Sequence, residues 1–156
     1  MTIVRIAVAG CTLAAAGAAL ACGEGLGAAR TTVEGGKYTV AYATSPSPVV
    51  VGQHFRVDVA VCAKAGAPAA RDLRVDATMP EHRHGMNYRA SVTSPRPGEW
   101  RAEGLLFHMP GRWDLTFDVV AGGATQRVTS RAKIFGNMLM FMKIHPFGII
   151  WPRFGR

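Results

Sequence analysis

Apolar and polar residues alternate with a period of two over much of this chain, and that alternation predicts its fold. Phe55, Val57, Val59 and Val61 interleave with Arg56, Asp58 and Ala60, the pattern of a strand with one buried and one wet face. Leu73, Val75, Ala77 and Met79 alternate with Arg74, Asp76 and Thr78, and Trp113, Leu115, Phe117 and Val119 alternate with Asp114, Thr116 and Asp118. Runs at Tyr38–Tyr42, Tyr88–Val92, Trp100–Phe107 and Gln126–Ile134 complete a set of about seven strands. Turn residues separate them at Ser45-Pro46-Ser47-Pro48, Ala65-Gly66-Ala67-Pro68, Ser94-Pro95-Arg96-Pro97-Gly98 and Gly122-Gly123. No stretch carries a helical period. Short strands punctuated by Pro and Gly predict an all-β fold over residues 37–134, an Ig-like antiparallel β-sandwich, with an open barrel as runner-up. The cysteine pair of true immunoglobulin domains is missing, since Cys62 stands alone in that range.

The flanking segments read differently. Residues 1–21 have the form of an export signal: Arg5, an Ala-rich apolar run from Ile6 to Leu20, and the small-x-small site Ala19-Leu20-Ala21. Cys22 follows at once, so it is a candidate lipidation site that would anchor the chain to a membrane, with simple secretion as the alternative. Val8-Ala9-Gly10-Cys11 resembles a better lipobox but has too short an apolar run before it. Residues 22–36 are rich in Gly and Ala and are expected to form a flexible spacer. The end, 135–156, is apolar and basic, and is read as a membrane-surface segment or an unstructured extension of unknown role.

Composition narrows the function classes. At 156 residues with 49% hydrophobic content the chain can build one core. The net charge of +8 is spread along the sequence, with five Lys/Arg and no acid in Arg131–Arg156. No nucleic-acid motif accompanies it, so an anionic membrane surface is the more natural partner. There is no nucleophile elbow, phosphate-cradling glycine loop or carboxylate pair, so an enzyme is not expected.

Candidate chemistry sits in two short pieces, Met79-Pro80-Glu81-His82-Arg83-His84-Gly85-Met86 and His108-Met109-Pro110-Gly111. They hold three of the five histidines and three of the seven methionines. Imidazole suits copper, zinc or nickel and thioether favours Cu(I), so the mixture points to copper. His82, His84 and Met86 are spaced by two, which in an extended segment sends all three side chains to one face, with Gly85 free to bend the chain. His108 and Met109 end another strand and are the further candidate ligands. Met79 is in phase with the core and is expected to pack there, as are Trp100 and Trp113, and Cys62 reads as a small buried hydrophobe. His54 and His145 are assigned no role.

These same residues resemble the YtkA-like family. Its Met-Pro-x-His-x-His-Gly segment is matched by Met79–Gly85 and its Phe-x-Met-Pro-Gly-x-Trp segment by Phe107–Trp113, over a resemblance running from about Tyr38 to Val120. It implies an exported Ig-like sandwich, with relatives similar to the FixH-type proteins linked to oxidase assembly. His84-x-Met86 also resembles the His-x-Met element of PCuAC-type periplasmic copper chaperones, whose other ligands do not line up here. The resulting expectation is an exported, non-catalytic copper binder in the periplasm or cell envelope that buffers the metal or delivers it to an envelope partner. The alternatives are a metal-free module that docks on an envelope protein, and a site for a small anion formed by Arg83, Arg89 and His84.

Overall fold

The computed structural model describes residues 21–136, and in it the alternating segments become strands, except that the run expected at Tyr88–Val92 is irregular up to Ala90 and pairs only from Ser91. The strands are β1 (Thr31–Gly35), β2 (Tyr38–Ser45), β3 (His54–Ala63), β4 (Asp72–Met79), β5 (His84–Gly85), β6 (Ser91–Arg96), β7 (Glu99–Leu106), β8 (Gly111–Ala121) and β9 (Ala124–Ile134). They form two antiparallel sheets, ordered β1-β2-β3-β7-β6 and β5-β4-β8-β9. This is the Ig-like β-sandwich expected from the alternation, with β1 and β5 added to the seven strands. The inward positions of both sheets meet in one core. Val40, Val57, Val59, Ala77, Met79, Trp113, Phe117 and Val119 are all fully buried there. A buried polar link crosses it, joining the Tyr42 hydroxyl to Ser130 Oγ at 2.8 Å.

Four expectations are corrected. Residues 22–36 are not a free spacer: Glu24–Leu26 form a 3-10 turn and β1 pairs with β2 from Thr31–Tyr42 to Gly35–Tyr38. The segment lies close on the sheet, since a Cβ at Gly23 would stand 2.5 Å from Ala41 Cβ. Cys22 forms a disulfide with Cys62, their Cα atoms 5.9 Å apart. A sulfur in that bond cannot also carry a thioether-linked lipid, and Cys62 is a covalent partner rather than a small core hydrophobe. Finally, β6 runs through Pro95 to Arg96 where a turn was expected, which is tolerated because β6 is an edge strand and its register breaks between Thr93 and Arg96. The export signal and the tail beyond Gly136 lie outside the described residues.

Candidate functional site

Two strands carry the two candidate segments to the same end of one sheet. β4 and β8 are hydrogen-bonded neighbours with Thr78 opposite Asp114, so the loop that follows Met79 and the turn that precedes Trp113 emerge side by side. An ion pair joins them: Arg112 Nη2 donates to Glu81 Oε1 at 2.6 Å. Both partners are about half exposed, so the pair contributes little stability, but it fixes the spacing of the two loops.

The first loop does not run extended, as the two-residue spacing implied. His82 N–H donates to Met79 O at 3.1 Å and Arg83 N–H to Pro80 O at 3.3 Å, which folds Pro80–Arg83 into a tight turn. Arg83 takes a left-handed conformation, φ 54°, a region that side chains other than Asn, Asp and Gly seldom adopt. The bend is therefore at Arg83, and it leaves the His82 and His84 rings 5.8 Å apart between centroids. Gly85 has another role. It pairs with Thr78 in β5, and a Cβ there would come within 3.2 Å of Ala77 O.

The second loop brings His108 to the same place. Phe107 turns inward and His108 outward, so the His84 and His108 rings lie 4.9 Å apart. Beneath them is Trp113, fully buried, with centroids 5.9 Å from His84 and 5.4 Å from His108. Trp113 stacks on Phe107 at 4.7 Å and donates its indole N–H to Met109 O at 3.1 Å, which anchors the turn. The sequence pattern marked Trp113 as core but gave no sign that it floors the histidines. Met79 is also core, and Gly111 (φ 136°) fits over it, since a Cβ there would sit 2.5 Å from Met79 Cε.

Of the five candidate ligands the structure thus gathers His82, His84 and His108. Met86 and Met109 lie at the margin, half-buried and packed against the core. His82 and His108 are exposed and His84 half-buried. His84 Nδ1 lies 3.2 Å from Gly85 O. A carbonyl only accepts, so this contact requires Nδ1–H and leaves the Nε2 lone pair free, the arrangement that orients a metal-binding imidazole. Two imidazoles sharing one ion at about 2.0 Å from each nitrogen have centroids about 5–6 Å apart, the range observed here. The ring nitrogens do not yet converge: among the described residues no three His, Cys, Asp or Glu side chains are placed to hold an ion as they stand. A shared ion therefore requires rotation of the exposed His82 and His108.

A family model described as YtkA-like matches residues 32–118, a range that includes both loops. A DUF4426 family protein from Pseudomonas aeruginosa PAO1 superposes on the structure with a TM-score of 0.48 and 16% identity, over 70% of this chain and 97% of that one. Comparison with curated proteins finds no match.

Proposed function

From the premise that the chain belongs to the YtkA-like family, we propose that it is an exported, non-catalytic β-sandwich that binds copper at this loop cluster and buffers it or passes it to an envelope partner. The observation that carries the reading is the trio of imidazoles, 4.9 and 5.8 Å apart, drawn from two separate loops, with one buried indole beneath His84 and His108. His84 and His108 form the centre, His82 closes over it, and Met86 and Met109 supply soft donors at its edge. Exposed ligands that must rotate to converge suit a carrier, which has to release what it binds. The Cys22–Cys62 disulfide supports an oxidising compartment outside the cytoplasm.

Anaerobic Cu(I) titration of the full chain against a competing chelator tests this. One equivalent is expected to bind with quenching of indole emission, because Trp113 lies under the ligands. The variant with His82, His84 and Met86 all changed to Ala is expected to bind at least about tenfold more weakly. Equal affinity in the two proteins would reject copper binding here. The unconverged ring nitrogens favour a second reading, a metal-free module that docks through the same loops. That reading predicts an unchanged copper affinity but loss of partner capture in the same variant.

A further inference from the structure

Among the described residues one side of β4 is left largely unpaired. β8 covers it from Asp72 to Thr78, whereas β5 on the other side pairs only Thr78 and Met79, and Met86 N–H to Ala77 O at 3.2 Å ends that contact. The last bond also sets direction: Ala77, and by the strand period Val75 and Leu73, turn their peptide groups away from β8. Two of the three outward N–H groups are capped by the preceding side chain. Leu73 N–H donates to Asp72 Oδ1 at 2.8 Å and Ala77 N–H to Asp76 Oδ1 at 2.7 Å. Sheet edges are commonly blunted against unwanted pairing. Here the blunting falls on either side of Val75, whose N–H and C=O, with the Leu73 C=O, form an open interval.

A groove of about 490 Å³ runs beside that interval. Leu73, Val75, Ala90 and Val92 supply its apolar lining, and Arg74 and Arg89 stand at its rim. Arg127, in the same groove, is committed to Asp118 through two bonds of 2.7 and 2.8 Å. Asp76 and Asp118 also line the groove, and Arg74 faces Asp118 across the β4–β8 pair, so three guanidinium groups stand against two carboxylates; among the described residues Arg89 has no carboxylate within ion-pair distance. Open backbone, an apolar lining and an excess of guanidinium groups over carboxylates, with Arg89 free of any ion pair among the described residues, together define an occupant: an extended chain with small apolar residues on one face and carboxylates on the other.

We propose that the open interval of β4, rimmed by Arg74 and Arg89, is a docking site for an extended acidic segment of a partner protein, which joins the sheet as an added strand. Such a strand would continue the row that β5 begins. Val75 is four residues from Met79, about 13 Å along the strand, so the docked segment would reach the histidine loops. The site does not depend on metal and operates in the apo protein.

Residue-resolved hydrogen exchange on the full chain is the test, with a blocked peptide of alternating Asp and Val as the probe and its Lys-Val counterpart as control. The Val75 N–H is expected to exchange freely in the protein alone. Adding the acidic peptide should slow it at least about tenfold, with the protection weakening as salt is raised. The double variant Arg74→Glu, Arg89→Glu is expected to lose the effect. Arg74→Gln, Arg89→Gln serves the same purpose if the charge reversal impairs folding. A Val75 amide already protected without peptide, equal protection by the Lys-Val peptide, or protection that survives the variants would each overturn the proposal. So would protection that tracks dimerisation of the chain, since the edge would then belong to a second copy.

Discussion

Reduction of the Cys22–Cys62 bond is the perturbation whose size follows most directly from the fold. The bridge spans 40 residues. In the chain-entropy treatment, closing such a loop removes about 13 cal/mol/K from the unfolded chain, or about 4 kcal/mol at 25 °C. A domain of roughly 115 residues unfolds with an entropy near 0.24 kcal/mol/K at its midpoint. The predicted fall in Tm is therefore about 16 °C. The native side adds to it, because Gly23 and the Glu24–Leu26 turn lie on the sheet directly beside the bridge. Differential scanning calorimetry of the full chain with and without reductant, and of the Cys22→Ser, Cys62→Ser variant, measures the effect. The reduced protein and the variant should melt together, well below the oxidised protein. Oxidised and reduced forms melting within about 2 °C of each other would refute the reasoning, and so would a diacylated Cys22 in the mass of the protein isolated from cells.

Four further outcomes are expected. Gly111→Ala places a Cβ 2.5 Å from Met79 Cε and should cost about 1–3 kcal/mol in urea unfolding, less when Met79 is also changed to Ala. Tyr42→Phe removes the partner of the buried Ser130 hydroxyl and should cost about 1–3 kcal/mol. The hydrogen-bonded Arg127 guanidinium holds the Asp118 carboxyl below its ordinary value of 3.8. A depressed folded pKa means that this contribution is present above 3.8 and lost as pH falls through the lower folded value, so NMR titration should place Asp118 below 3.8 and Asp118→Asn should flatten that part of the acid limb. Arg112→Ala should leave stability within about 1 kcal/mol and, since the pair can preorganise the loops by no more than that, weaken Cu(I) binding by at most about fivefold in the same chelator competition.

Strands with strong alternation were legible in the sequence because burial alone decides them: in β4 the exposed and buried positions change places at every residue. β1 was not, since Val33 is its one large apolar residue and the strand is held by pairing with β2 rather than by a buried face. β5 is only two residues long and exists because Thr78 and Met79 offer an edge. The cysteine bridge was out of reach for a related reason: Cys22 sits in a Gly/Ala segment with no periodicity to place it beside Cys62. For the site, residue type singled out three histidines that the fold brings near one another, but the geometry joining them depends on one left-handed residue, Arg83, which no local pattern announces. Trp113 has the same character, since its alternation marks it as buried without saying what lies above it.

The direct pairing of β4 with β8 has an evolutionary and engineering consequence. His82 and His84 hang from one of these strands, His108 leads into the other, and the two are adjacent although Met79 and Trp113 are far apart in sequence. Of the strands between them, β5 lies on the edge of β4, while β6 and β7 belong to the opposite sheet. Insertions or drift in that stretch can therefore reshape the far layer while the loop pair keeps its spacing. The pair is in effect a portable unit, one that could be transplanted onto any two neighbouring antiparallel strands that supply a buried indole beneath it.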